Sequence, residues 1–195
     1  KYAGDKNIPV VIMEPLKGGK LANNIPDEVK RIYENAKTKR TPVEWAFRWL
    51  YNFPQVAVIL SGVSSMEQLE DNLRIFENAK ANCMDEEELA IIEQVRQAYL
   101  KKIKIPCTGC EYCLPCPQGV SIPGVFDHVN SAFMYSSRRD SQNHYRQFFI
   151  NEGRDASKCV ECGQCESACP QNIPIIQKLK ESHDFLTGQG DFPDN

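Results

Sequence analysis

Residues 105–123 read IPCTGCEYCLPCPQGVSIP, and residues 157–174 read SKCVECGQCESACPQNIP. Eight of the nine cysteines fall in these two runs. The first three of each are spaced C-x2-C-x2-C, and the fourth is followed at once by proline, Pro117 or Pro170. The runs are an internal repeat: Cys107, Cys110 and Cys113 each recur 52 positions later, and Cys116 recurs after 53. A loop with a cysteine every third residue can wrap one cubane cluster with three thiolates, and the fourth cysteine of such a run ligates the neighbouring cluster. The spacing therefore predicts one [4Fe–4S] cluster on Cys107, Cys110, Cys113 and Cys169, and a second on Cys159, Cys162, Cys165 and Cys116. One departure is visible: the first run has two residues before its fourth cysteine, where the usual run has three. The proline after each fourth cysteine is expected at the first position of a helix, where its missing N–H costs nothing.

Other uses of cysteine fit less well. Zinc knuckles pair two C-x2-C units separated by a dozen or more residues. A disulfide scaffold calls for a short secreted chain with an even cysteine count, against nine cysteines in 195 residues here. Cys83 stands alone and reads as a small buried hydrophobe. The net charge of −3 and pI near 5.7 argue against a nucleic-acid partner. No apolar run approaches the roughly eighteen residues that span a membrane, and no targeting or lipidation motif is present. Thiolates that hold metal imply a reducing compartment, so a cytoplasmic location is expected. The chain starts with Lys1 in what reads as mid-fold, which predicts a segment of a longer protein.

Residues 8–14, IPVVIME, and 56–60, VAVIL, read as buried strands, each followed by a small-residue loop. Helices are expected over 27–39 with Val29, Ile32, Tyr33 and Ala36 inside, and from Pro42 with Trp45, Ala46, Trp49 and Leu50 inside. Thr41 with Glu44, and Ser65 with Gln68, have the form of capping boxes. The helix after Ser65 is expected to bury Leu69, Leu73 and Phe76. A long helix from Asp85 to about Lys102 is expected to bury Leu89, Ile92 and Val95, with its acidic start against the positive helix end. Strand–helix–helix–strand–helix–helix is the order of a parallel sheet with helical cover. Two strands cannot close a barrel, so residues 1–103 read as part of a larger α/β domain. Beyond it, residues 104–195 form the cysteine domain, with helices near 123–135, 141–151 and 173–185 and an irregular tail over 187–195. The aromatics of the insert (Phe126, Phe133, Tyr145, Phe148, Phe149) are expected to pack around the clusters. His128, His144 and His183 lack ligand spacing and are expected in packing or solvated roles.

With these pieces placed, the chain resembles the C-terminal part of an aldo/keto reductase joined to a two-cluster ferredoxin-like domain. The motifs that carry the resemblance are VVIMEPLKGGKLA (Val10–Ala22), VAVILSGVSSMEQLEDNL (Val56–Leu73) and the two cysteine runs. The resemblance implies the last two strands of a (β/α)8 TIM barrel with their covering helices, then a mainly α-helical iron–sulfur domain. Catalytic and cofactor groups sit at the strand C-termini of such barrels. It implies that Leu16, Gly18 and Gly19 lie against a dinucleotide pyrophosphate, where glycine lets the backbone approach. It also implies that Ser61, Gly62, Ser64, Gln68, Asp71 and Asn72 surround the adenosine end. Where the better-known members carry Lys and Arg for a 2′-phosphate, this chain offers Gly62 and Gln68, which weakens what the resemblance implies for NADPH over NADH and for tight cofactor binding. The family's Asp, Tyr, Lys and His tetrad belongs to earlier strands, and no catalytic residue is assigned in this chain.

Three functions follow. The first is an NAD(P)-dependent oxidoreductase acting on a small carbonyl compound or alcohol, with the clusters passing electrons to or from a redox partner protein. Hydride moves two electrons and a cluster one, so this needs a two-to-one converter such as a flavin. The second is an electron-transfer module docked on a barrel scaffold. The third is structural, with the clusters as staples of a small domain.

Overall fold

The computed structural model describes residues 2–193. It divides into two units, Lys1–Tyr99 and Leu100–Asn195. The first opens with a single helical turn, α1 (Tyr2–Asp5), and strand β1 (Val10–Ile12). Helices α2 (Asp27–Asn35) and α3 (Pro42–Tyr51) lead to strand β2 (Val56–Ile59), then α4 (Met66–Phe76) and α5 (Glu86–Leu100). The strands pair in parallel, Val10 opposite Val56 and Ile12 opposite Ile59, with the helical crossover that parallel neighbours need.

Caps fix the helix starts. Thr41 Oγ1 accepts from the Glu44 amide at 3.1 Å, with Pro42 in the first turn. Asp85 and Glu88 form a reciprocal box: Asp85 Oδ1 accepts from the Glu88 amide at 2.8 Å, and Glu88 Oε2 from the Asp85 amide at 3.3 Å. The box expected at Thr41 is only half made. The Glu44 carboxylate turns instead to Arg48, Arg40 and Arg74, at 3.1, 3.4 and 3.2 Å.

Several expected inward faces are corrected. Val29, Ala36, Trp45 and Val95 are buried as read, but α3 also buries Phe47 and Tyr51 while Trp49 is exposed. In α4 the buried residue is Ile75, and Leu69 and Leu73 face solvent. In α5, Ala98 and Tyr99 are buried and Leu89 is exposed. The strands, expected buried on both faces, leave Val11 55% and Val58 45% exposed. Cys83 packs partly buried against the Trp45 and Phe47 clusters.

The second unit is all helical. Helix α6 (Ile122–Met134) is followed by α7 (Arg138–Tyr145), which runs on into a wider π-helical turn, Arg146–Ile150. A 3-10 turn (Ala156–Lys158), the short α8 (Gln164–Ser167) and α9 (Ile175–Thr187) complete it. One apolar core joins Val125, Phe126 and Val129 of α6 to Tyr145, Phe149, Leu179 and Phe185. The tail after α9 is irregular, as expected, yet anchored: Phe192 is buried against Phe133 and Phe185. Asp194 and Asn195 lie outside the described residues.

Candidate iron–sulfur and nucleotide sites

The cysteine loops owe their shape to two left-handed residues apiece. In the first run these are Gly109 (φ 68°) and Glu111 (φ 64°), and in the second Glu161 (φ 58°) and Gly163 (φ 77°). The repeat keeps the backbone bend at both positions and exchanges the residue that makes it. A glutamate held there costs about 1–2 kcal/mol. Alternation of right- and left-handed residues turns successive amides toward one side, the concave arrangement that receives anionic groups such as iron–sulfur clusters. The Gly109 amide accordingly lies toward the Cys107 sulfur and favours its thiolate, as the Cys165 amide does for its own sulfur.

Each run is also pinned at its entry by a buried polar side chain from the helices. Asn130 of α6 accepts from the Lys104 and Ile105 amides, both at 3.0 Å, and donates to the Ile105 carbonyl at 2.8 Å. Tyr145 of α7 accepts from the Ala156 amide at 2.9 Å. Ile105 lies just before Cys107 and Ala156 just before Cys159. Neither anchor was read from the sequence; a polar residue at a helical core position was the signal available. At the exits, Pro117 and Pro170 do not open helices as expected. Each is the second residue of a tight turn, closed from Gly119 to Cys116 at 2.9 Å and from Asn172 to Cys169 at 3.1 Å. Proline is favoured there because its φ is already set. The helices begin several residues later.

The eight cysteines line two hollows. One, of about 170 Å³, is walled by Cys116, Cys159, Cys162 and Cys165 with Ile122, Ile176 and Leu179. The other, tighter at about 20 Å³, is walled by Cys107, Cys110 and Cys169 with Ile122, Phe126 and Ile175. Cys113 lines both. The donor set, rather than empty volume, is what fits: soft thiolates are the ligands of iron–sulfur clusters. Among the described residues no three His, Cys, Asp or Glu side chains converge on one point as a single metal ion requires. Burial pushes the Cys107, Cys113 and Cys165 thiols up, Cys113 to about 11, and neighbouring thiolates add to the shift. Such groups give up their protons to a cation that compensates their charge. Cys110 and Cys162, the middle cysteines, are exposed.

In the first unit, Leu16, Gly18, Gly19, Ser61, Gly62, Gln68, Asp71 and Asn72 line a hollow of about 640 Å³ beyond the C-terminal ends of β1 and β2. Ser64 sits behind it, donating from its amide and hydroxyl to Gln68 Oε1 at 2.9 and 3.3 Å. Gly18 and Gly19 are left-handed (φ 63° and 83°), which explains glycine at both. The hollow also takes Met13, Glu14, Thr41 and Val43, which the sequence reading did not single out.

Residues 1–97 match the aldo/keto reductase family, and residues 106–173 match the 4Fe-4S dicluster domain. The chain joins an aldo/keto reductase segment to an iron–sulfur dicluster domain. No curated protein and no solved structure matched it. Both cysteine runs, from Cys107 to Cys169, fall inside the dicluster match. The 640 Å³ hollow falls inside the aldo/keto reductase match, and the two matches together support an iron–sulfur oxidoreductase. No helix among the described residues is long and apolar enough to cross a membrane.

The three histidines make ring and hydrogen-bond contacts. His128 Nε2 lies 2.7 Å from His144 Nδ1 between the rings of Phe148 and Phe149. His183 Nδ1 meets the Tyr145 hydroxyl at 3.0 Å.

Proposed function

We propose that the protein carries electrons through two [4Fe–4S] clusters, one held by Cys107, Cys110, Cys113 and Cys169 and the other by Cys159, Cys162, Cys165 and Cys116. The observation that carries this is the exchange of fourth cysteines: Cys169 lines the hollow of the first run and Cys116 that of the second. When bound, such clusters supply one-electron redox centres. The chain's residues supply the thiolates, amides directed at Cys107 and Cys165, and apolar walls that keep water from the ligands. The exposed Cys110 and Cys162 are the edges at which a redox partner protein exchanges electrons. In the aldo/keto reductase segment, the hollow around Leu16, Gly18 and Gly19 is a nicotinamide dinucleotide site serving a small carbonyl substrate. The half-exposed Val11 and Val58 support a sheet that belongs to a larger barrel.

The test is iron and acid-labile sulfide per chain, with an EPR spectrum of the reduced protein, all prepared without oxygen. About eight of each, with spin coupling between neighbouring centres, is expected for two [4Fe–4S] clusters. About four of each, or zinc in their place, overturns the two-cluster assignment.

A further inference from the structure

Resting on the reading of the 640 Å³ hollow as a dinucleotide site, we propose that it is built for NAD(H) and rejects NADP(H), with Asp71 as the discriminating residue. Among the described residues, the hollow is lined by two carboxylates, Glu14 and Asp71, and by no lysine, arginine or histidine. Lys17 and Lys20 share the loop after β1 but line no part of it.

The neighbouring guanidiniums are already committed. Arg74 Nε donates to Asp71 Oδ1 at 3.1 Å, and one of its terminal nitrogens donates to the same oxygen at 2.8 Å and to Glu44 Oε2 at 3.2 Å. Arg40, beside the lining residue Thr41, pairs with Glu44 and Glu88. Some neutral donors at this end are turned inward. Ser64 gives its amide and hydroxyl protons to Gln68, and Asn72 Nδ2 donates to Ser61 Oγ at 3.0 Å.

A 2′-phosphate brings close to two negative charges. Here it meets the Asp71 carboxylate and, among the described lining residues, no cation. A ribose 2′-hydroxyl is instead a donor, and a carboxylate is the group that accepts from it. Both Arg74 bonds fall on Oδ1 of Asp71, and Oδ2 takes part in neither.

The experiment is a fluorescence titration of NADH and of NADPH into the full-length, cluster-loaded protein under anaerobic conditions. NADH is expected to bind at least tenfold more tightly. Equal or tighter binding of NADPH overturns the specificity proposal and leaves the dinucleotide site standing. Failure of both to bind at millimolar concentration overturns the site itself, and the proposal with it. Two variants sharpen the assignment. Asp71→Ser removes the repulsion and releases Arg74. Gly62→Lys adds a cation where a Cβ meets open space and φ is not left-handed. Each is expected to narrow the NADH:NADPH ratio tenfold or more. A ratio unmoved by both means that the ribose lies elsewhere, and the role of Asp71 falls.

Discussion

Tyr145 is fully buried, and its hydroxyl holds two things at once. It accepts from the Ala156 amide at 2.9 Å and meets His183 Nδ1 at 3.0 Å, while the buried Asp155 carboxylate lies 3.7 Å from the same nitrogen. Burial pushes the phenol well above the ordinary tyrosine range, so it stays protonated. Tyr145→Phe keeps the ring and leaves the Ala156 amide buried without a partner, a loss of about 1–3 kcal/mol. Denaturant unfolding of the cluster-loaded protein measures it, and a change below about 0.5 kcal/mol, the scatter of neutral surface substitutions, would show that the amide finds another acceptor. Nothing in the local sequence around Tyr145 announces this role, because its partners come from two other segments. Thr41 and Ser65 could be read at sight, since their bonds close within three residues: Ser65 Oγ accepts from the Gln68 amide at 3.2 Å.

Among elements, α6 is the one most tightly seated. A Cβ at Gly124 would stand 3.0 and 3.1 Å from ring carbons of Phe149 and 2.7 Å from Ser121 Oγ. The helix therefore meets the π-helical turn at a position that admits no side chain. Gly124→Ala is expected to cost about 1–3 kcal/mol by overpacking, set against its small gain in helix propensity. A thermal melt that rises instead would show that Phe149 has room to turn. Helix positions were legible from caps and prolines, but their inward faces were legible only in part. Helix α4 carries apolar residues on two faces, Leu69 and Leu73 on one and Ile75 on another, and periodicity alone does not say which meets a neighbour. The same holds for β1 and β2, whose apolar character is plain and whose cover depends on what packs above them.

For the molecule as a whole, protons report on metal. Without iron, burial holds the Cys107, Cys113 and Cys165 thiols above their unfolded value near 9, Cys113 to about 11, and burial raises Tyr135 and Tyr145 as well. The folded form then keeps protons that the unfolded form has lost, so the stability present below about pH 9 falls as the pH rises toward 11. With iron bound the cysteines are thiolates, and they take up protons when unfolding releases the iron, so the stability of the loaded form rises with pH up to about 9. Denaturation midpoints should therefore fall from about pH 9 toward 11 for the iron-free protein and climb toward pH 9 for the loaded one; equal slopes would show that the cysteines do not ligate. The cysteine hollows were legible because ligand spacing is written locally, in three-residue steps. Their anchors, Asn130 and Tyr145, were not, because they are set by how helices cross. The exchange of Cys116 and Cys169 has a further consequence, for the life of the protein rather than its equilibrium. On the ribosome the first run emerges with three of its hollow's four thiols, and the last, Cys169, is made only after the insert and nearly all of the second run. Neither hollow can be completed from one run alone. A polypeptide halted before Cys169 would leave the ribosome with its first hollow one sulfur short.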